Sequence, residues 1–350
     1  MQFNLCHLKE QLIITIYIML WLQLRIISNK TMRIILITPA PPKSRAGNRA
    51  TATRWANILR TLGHSVEISV SYQNQNADMM LALHAWRSAD AIQQFSDRFP
   101  TRPLIVAITG TDAYRFIHSH PEPTLRSIRL AHQLVGLHDL ISNTLPQDQR
   151  HKMNVIYQSA ETVAKRKPYQ RYFHVSVMGH LRDEKDPMRP ALAVRNLPVN
   201  SRIKVHHFGK ACSDEWAALA NAEMKTNPRY QWHEEIAHYK IRQIYQRTNV
   251  LVLPSRMEGG ANVISEAVVA GLPVIASDIE GSIGLLGEDY AGYYPVENED
   301  ALAEILLKAE TDKTFYKQLE QQCISRQGLF TTQKELTGWQ NLLIKIARSR

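Results

Sequence analysis

The sequence PSRMEGGANVISEA at residues 254–267 decides the fold of this chain. It follows the apolar run VLVL at residues 250–253, and its second half has the apolar spacing of a helix that ends near Gly271. A strand, a glycine loop and a helix in this order are typical of α/β proteins that bind phosphate groups. The glycines let the backbone approach a ligand, and the free N–H groups at the helix start, together with the helix dipole, favour a diphosphate.

Two glutamates in this segment add a second kind of chemistry. Glu258 precedes the predicted helix, and Glu266 lies about two turns inside it. Carboxylates suit sugar hydroxyls, since each can accept two hydrogen bonds from a vicinal diol. The segment therefore predicts a site for a ligand with both a diphosphate and a sugar. The alternative is an amphipathic helix with two exposed glutamates after a glycine turn.

The rest of the chain repeats the same alternation. From residue 32 onward, short β-branched runs alternate with longer segments of helical period, which predicts βαβ units around parallel sheets and an α/β fold class. A helix is expected at residues 50–62, closed by Gly63. The expected strands lie at residues 33–38, 66–71, 79–83 and 104–108 in the first half, and at residues 173–178, 203–208, 250–253 and 274–277 in the second half.

The length of 350 residues favours two domains. We expect an extra N-terminal segment at residues 1–31, a first domain at 32–168, and a second domain at 169–330 after a basic linker near 165–171. A final helix at 331–350 is expected to pack back on the first domain. Residues 12–24 form an apolar run, which leaves three interpretations of the N-terminal segment: translation starting at Met32, a membrane tether, or an amphipathic surface helix.

A net charge of +10 calls for an anionic partner. The basic residues are scattered and no RNA-binding or zinc-finger spacing appears, so a phosphorylated metabolite is favoured over nucleic acid. Three cysteines give neither a disulfide framework nor a zinc spacing, and no Asp-x-Asp pair stands at a strand end. We therefore expect a cytoplasmic protein without metal or cofactor, with no membrane partner and with an oligomeric state that the sequence leaves open.

The Glu-x7-Glu spacing, together with GLPVIAS at residues 271–277, resembles the donor site of family 4 glycosyltransferases of the GT-B fold. The resemblance covers most of the second domain and implies two Rossmann-like domains that face each other across a cleft. It implies that Glu258 holds the donor sugar, that Glu266 holds the nucleotide ribose, and that backbone amides between them bind the diphosphate. The expected donor-binding residues are Gly259, Gly260, Ala261, Asn262, Glu266 and His180.

A second element, GHLRDEKD at residues 179–186, resembles the family's Gly-Arg-Leu-x-x-Glu-Lys-Gly loop. The resemblance implies that Lys185 offsets the charge of the diphosphate as the leaving group departs. The family's arginine is His180 in this chain, and its last glycine is Asp186. Either Arg182 takes over the arginine's duty, or His180 does so as a hydrogen-bond donor.

The segment PAPPKSRAGNR at residues 39–49 links the first strand to the first helix and is unusually basic. This composition at a predicted helix start suits a small oxyanion, while the alternative is a solvated basic loop. His84 and Asp112 follow two further strands; they are candidate bases, or else a packed histidine and a helix cap. The expected catalytic residues are Glu258, Lys185, Arg182, His84 and Asp112, and the expected acceptor-binding residues are Lys43, Arg45, Gly47, Asn48, Arg49, Arg87, Thr111 and Arg115.

Taken together, these motifs resemble one narrow subfamily, the selenosugar synthases, over residues 32–295. This resemblance implies transfer of a sugar, chiefly N-acetylglucosamine, from a UDP-sugar to selenophosphate. Selenium is a soft nucleophile that needs no base, so cations would suffice on the acceptor side. Two alternatives remain: a family 4 enzyme acting on a hydroxyl of a lipid or polysaccharide, and a non-catalytic protein that binds nucleotide sugars.

Overall fold

The computed structural model describes residues 31–44, 46–162 and 166–348. Its framework is two six-stranded parallel sheets, one in each half of the chain. The expected α/β class with two doubly wound domains is therefore confirmed. Most of the extra N-terminal segment lies outside the described residues, and so does Arg45. The domain limits given above stay predictions.

The first sheet has the strand order β2-β1-β3-β4-β5-β6. Its central strand β3 is MMLAL, with every residue buried, as expected for a parallel strand covered on both faces. The strands are β1 (Arg33–Ile37), β2 (Ser65–Ser69), β3 (Met79–Leu83), β4 (Leu104–Ala107), β5 (Gln133–Gly136) and β6 (Met153–Val155). The helices are α1 (Gly47–Thr61), α2 (Ala89–Arg98), α3 (Ile117–Ser119) and α4 (Pro121–Leu130), with a π-helical turn at Asp112–Phe116 and 3₁₀ turns at Asp139–Thr144 and Gln147–Lys152.

The second sheet has the order β12-β11-β10-β7-β8-β9 and is also entirely parallel. Its strands are β7 (Phe173–Met178), β8 (Ile203–Phe208), β9 (Tyr230–Trp232), β10 (Val250–Leu253), β11 (Val274–Ser277) and β12 (Tyr293–Tyr294). Its helices are α5 (Arg189–Ala193), α6 (Asp214–Thr226), α7 (His238–Arg247), α8 (Asn262–Val269), α9 (Glu280–Leu286), α10 (Glu299–Thr311) and α11 (Lys313–Arg326). Two 3₁₀ turns at Asp183–Lys185 and Gln327–Phe330 and a last helix, α12 (Thr332–Arg348), complete the order.

Five of the eight expected strands have the bounds predicted from sequence, and the other three differ by one or two residues at their ends. The first helix is a correction: it begins at Gly47 rather than residue 50. Its first turn is Gly-Asn-Arg, which has no apolar residue to reveal the helical period. The helix start therefore lies three residues nearer to the basic loop than the pattern indicates.

The last helix packs on the first sheet. Trp339 is completely buried, and its ring meets that of Trp55 on α1 edge to face at a centroid distance of 4.8 Å. Leu342 and Ile346 join the same core, with Ile34 of β1. The chain therefore crosses from the second domain back to the first before it ends.

Three histidines with desolvated rings, two of them buried, make the stability of this fold depend on pH. Burial lowers the pKa of His207 to about 4, and its ring is held by Tyr230 Oη and the Gly179 carbonyl, each 3.1 Å away. Burial also lowers the pKa of His206 and of His138 to about 4. These rings stay neutral in the folded protein while the unfolded chain takes up protons below about pH 6.5.

We therefore expect the free energy of unfolding to be flat above pH 6.5 and to fall steadily between pH 6.5 and 4. Urea titrations across this range would measure the slope. His207→Asn should reduce the slope by about one proton, even though it also lowers the overall stability. An unfolding free energy that stays constant from pH 6.5 to 4.5 would contradict this reading of the desolvated rings.

Candidate active site between the two domains

Two glycines bring the backbones of the two domains into direct contact. A Cβ added to Gly259 would lie 2.2 Å from the carbonyl carbon of Thr109 and 2.3 Å from the nitrogen of Gly110. Gly110 itself has a φ of 122°, which L-residues rarely adopt. Loops after β4 and β10 therefore meet where the strands of both sheets end, so the structure shows the cleft in a closed form.

Two helices begin at this contact, one from each domain. Helix α8 starts at Asn262 and helix α1 at Gly47; their N-caps, Ala261 and Ala46, provide no side-chain hydrogen bond. A Cβ on Gly47 would be 4.0 Å from the side-chain nitrogen Nδ2 of Asn262, so the first residues of the two helices lie close together. The positive ends of two helix dipoles then share one space, which favours an anion between them.

Glu258 lies just before α8 and forms an ion pair with Lys185. Its Oε1 accepts hydrogen bonds from Lys185 Nζ and from Ser255 Oγ, the latter at 2.6 Å. Both charged side chains are mostly buried. The two motifs recognised separately in the sequence thus meet in space, with a cation and a carboxylate side by side at the start of α8.

Arg256, which no sequence motif indicated as functional, holds the loop that carries Lys185 in place. The Arg256 guanidinium contacts Asp183 Oδ1 at 2.7 Å, Asp186 Oδ1 at 3.4 Å and Glu297 Oε1 at 2.6 Å. Its backbone N–H also donates to the Glu184 carbonyl at 3.0 Å. Its position within residues 254–267 was the available clue, but its partners lie far away in sequence.

Asp186 stands where the family's loop has glycine and adopts the left-handed conformation that glycine favours, with a φ of 41°. Aspartate tolerates this conformation better than most residues. Its buried carboxylate also accepts a hydrogen bond from Arg189 at 2.8 Å. Ion pairs therefore hold the turn that a glycine would otherwise permit.

Glu266 and His180 have defined partners on the second domain. Glu266 Oε2 accepts a hydrogen bond from the buried Tyr245 hydroxyl at 3.1 Å. His180 Nδ1 accepts from the backbone N–H of Lys210 at 3.1 Å, and burial lowers the pKa of the ring. The neutral ring therefore carries its proton on Nε2 and can donate from there. Arg182, the other candidate for the arginine's role, has its Nε 3.9 Å from Oε2 of Glu184.

His84 and Asp112, the two candidate bases, are buried. Asp112 accepts hydrogen bonds from the backbone N–H groups of Thr109, Gly110 and Ala85 at 2.8–2.9 Å. His84 Nδ1 accepts from the N–H of Arg87 at 3.2 Å, and its Nε2 lies 2.9 Å from the Thr111 hydroxyl. Both side chains therefore hold loops in place and neither offers a free base.

The basic residues expected on the acceptor side differ in their surroundings. Arg115 is exposed and forms an ion pair at 2.9 Å with Glu184, across the domains. Lys43 is exposed with a left-handed φ of 67°, and Arg49 is half-buried on α1. Arg87 is exposed, beside the stacked pair of Trp86 and Phe116, whose rings are 3.9 Å apart. Among these predicted acceptor-binding residues, Arg115 therefore contacts the loop that carries Lys185, through its ion pair with Glu184.

The loop after β5, which no sequence motif indicated, completes the contact between the domains. A Cβ on Gly260 would lie 2.4 Å from the Cβ of Leu137, and one on Gly284 would lie 2.4 Å from Nδ1 of His138. The other ring nitrogen of His138 lies 3.3 Å from the Tyr114 hydroxyl. Close packing at these glycines fixes how near the two domains approach.

Within residues 31–44, 46–162 and 166–348, no group of three or more His, Cys, Asp or Glu side chains is arranged to hold a metal ion. In the same part of the chain, no helix has the length and apolar character needed to cross a membrane.

Several solved structures share this architecture. HepE of Anabaena, solved in complex with UDP, is 15% identical with a TM-score of 0.72, over 91% of this chain and 100% of that one. Sucrose-phosphate synthase of Thermosynechococcus elongatus is 14% identical with a TM-score of 0.76, over 92% and 100%. The pneumococcal O-GlcNAc transferase GtfA, solved with UDP and GlcNAc, is 16% identical with a TM-score of 0.57, over 76% and 57%. A search of curated proteins gives no significant match.

A family model covers the segment that carries Glu258, Lys185 and α8. Residues 159–326 match the model described as glycosyl transferases group 1. The structural similarity, at these low identities, establishes the fold of both domains. The chain thus has the GT-B fold, and its residues 159–326 match the model of group 1 glycosyl transferases.

Proposed function

We propose that this protein transfers a sugar from a UDP-sugar bound at the start of α8. The observation that carries the proposal is the Lys185–Glu258 pair beside the uncapped helix start, inside the segment that matches the family. A donor with its sugar on Glu258 has its diphosphate next to Lys185 and the N-terminal amides of α8. The complexes of HepE with UDP and with UDP-glucose are consistent with such a donor on this fold.

Glu266 contributes the second donor contact in this proposal. Its carboxylate accepts a hydrogen bond from the Tyr245 hydroxyl, and in the bound donor it would accept hydrogen bonds from the ribose hydroxyls. His180 offers Nε2–H near the same loop and replaces the family's arginine as a neutral donor. The charge on the leaving diphosphate is then offset by Lys185 and by the helix dipole.

For the acceptor, we propose selenophosphate, with N-acetylglucosamine as the sugar. Selenium attacks the anomeric carbon, the bond from that carbon to the UDP oxygen breaks, and UDP takes the electron pair. No proton has to be removed from selenium before the attack. Two features support an anionic acceptor of this kind. The first domain carries the accessible cations Lys43, Arg49, Arg87 and Arg115, and the two candidate bases, His84 and Asp112, are buried and hydrogen-bonded.

A second candidate is a hydroxyl acceptor on a polysaccharide or a lipid-linked sugar. The stacked rings of Trp86 and Phe116, with Arg87 and Arg115 each about 6 Å from the Phe116 centroid, favour it. Aromatic faces next to the cleft suit a sugar ring better than a small oxyanion. The candidates are separated by measuring UDP release from UDP-N-acetylglucosamine with and without selenophosphate. Release that depends on selenophosphate supports the first candidate, and release only with a glycan supports the second.

The basic loop and α1 give a further prediction. Replacing Arg45 and Arg49 together by Ala should raise the KM for selenophosphate by roughly 100-fold or more, since hydrogen bonds to charged groups are worth about 1.5–3 kcal/mol each. The KM for the UDP-sugar should change much less. Arg60→Ala is the matched control, because Arg60 lies on the same helix but bonds to the Val66 carbonyl at 2.7 Å. Equal losses for both substrates would contradict the division of labour between the domains.

A further inference from the structure

A buried carboxylate on the last helix joins several separate parts of the chain. Glu335 of α12 has an exposed fraction of only 1%. Its Oε1 accepts hydrogen bonds from Trp55 Nε1 at 2.7 Å and Arg54 Nε at 3.2 Å, and its Oε2 accepts from the N–H of Ser159 at 2.9 Å and from its hydroxyl at 2.5 Å. Both carboxylate oxygens are thus fully engaged, as a buried charge requires.

These contacts lie where the chain crosses between the two domains. The chain passes from the first domain to the second near Ala160 and returns to the first after Phe330. The Ala160 N–H donates a hydrogen bond to the Phe330 carbonyl at 3.0 Å, so these two connecting segments run side by side. Next to them, the Gln158 side chain donates to the Thr51 hydroxyl of α1 at 2.7 Å. Chain crossings of this kind are where relative domain motion is absorbed.

Arg54 extends from this point to the donor side. While its Nε is held by Glu335, its Nη2 donates to Asn262 Oδ1 at 3.2 Å. Asn262 is the first residue of α8 and belongs to the second domain, whereas Arg54 and Trp55 are on α1 of the first. The guanidinium therefore bridges the two domains at the helix start that the proposed donor occupies.

We propose that Arg54 is a positioning residue for the sugar-nucleotide donor: Glu335 orients it, and it fixes Asn262 and the start of α8 in the closed cleft. This inference rests on the proposed function. Arg54 and Glu335 both lie on the first domain, so opening the cleft would break the contact of Arg54 with Asn262 and leave its contact with Glu335. The contact between Arg54 and Asn262 therefore stabilises the closed cleft. Because Glu335 also binds Ser159 in the connecting segment, donor binding depends on how that segment is placed.

The first test is the affinity for UDP, measured by calorimetry, and the KM for the UDP-sugar. Arg54→Ala should weaken both by about three- to tenfold, the value of one ordinary hydrogen bond. Asn262→Ala should have a similar effect while leaving the bonds around Glu335 intact. The double variant Arg54→Ala/Asn262→Ala should be no weaker than either single variant, since all three lack the same contact. Arg54→Lys, which can reach one partner but not both, should recover little.

The second test asks whether Glu335 acts through Arg54. Glu335→Gln should raise the KM for the UDP-sugar in the wild-type background and have no further effect on it in Arg54→Ala. Its matched control is Glu310→Gln, because Glu310 also accepts bonds from a serine hydroxyl and a backbone N–H, at 2.7 Å each, but lies on α10. Glu310→Gln should lower the thermal stability without changing the KM.

Additive effects of Arg54→Ala and Asn262→Ala, or a wild-type KM in Arg54→Ala, would overturn the inference. An equal rise in KM for Glu335→Gln and Glu310→Gln would also overturn it, since a general loss of stability would then explain both. These outcomes differ from a failure of the proposed function, in which the wild-type protein itself binds no UDP.

Discussion

Glu258→Gln is expected to lower kcat by about a hundredfold to a thousandfold and to leave the fold intact. The carboxylate accepts hydrogen bonds from Ser255 and Lys185 on one oxygen, and the proposed donor sugar requires the remaining acceptors. Glutamine keeps the shape but replaces one acceptor oxygen by an NH₂ donor and removes the charge beside Lys185. Steady-state UDP release would measure the loss, and circular dichroism would check the fold.

The control for this variant is Glu67→Gln, since Glu67 is exposed on the edge strand β2 and accepts a hydrogen bond from the side chain of Gln75 at 3.1 Å. It should retain wild-type turnover. Glu258→Ala should be at least as inactive as Glu258→Gln. A folded Glu258→Gln protein with a near-native rate would mean that the donor sugar is held elsewhere.

Lys185→Ala is expected to lower kcat by about a hundredfold to a thousandfold for a different reason. Lys185 is the cation beside the start of α8, so its loss removes the charge that offsets the departing diphosphate. It also leaves the largely buried Glu258 without its ion-pair partner. Lys185→Arg, which keeps the charge but not the shape, should recover part of the rate.

Product binding separates the roles of these two residues. UDP carries the diphosphate but no transferred sugar, so its affinity should fall in Lys185→Ala and stay near the wild-type value in Glu258→Gln. Lys204→Ala is the control, because Lys204 lies on the second sheet and donates to the Pro228 carbonyl at 2.8 Å. Equal UDP affinity in Lys185→Ala and wild type would contradict a role for Lys185 at the leaving group.

Much of the fold could be predicted from sequence because its central strands are continuous apolar runs. The missed strands β5, β6, β9 and β12 are two to four residues long, and segments such as QLVG or YY are too short to show a period. In the last helix, the helical spacing of Trp339, Leu342 and Ile346 predicts a buried apolar face, but this spacing gives no reason to bury Glu335. Its burial depends on donors from α1 and the chain crossing.

The site could be predicted where its residues lie close together in one segment of the sequence, as for Glu258 and the start of α8. It was not predictable where the direction of a side chain decides its role. His84 and Asp112 follow strands at the correct edge of the sheet, yet both turn inward to backbone N–H groups. Arg256 shows the opposite case, since three acidic partners from distant parts of the sequence define what it does.

The most direct measurement is a crystal structure of the protein soaked with UDP-N-acetylglucosamine. We expect the diphosphate against the N–H groups at the start of α8, the sugar on Glu258 and the ribose on Glu266, with Lys185 next to the phosphate. A sugar nucleotide bound away from residues 258–266 would contradict the central claim.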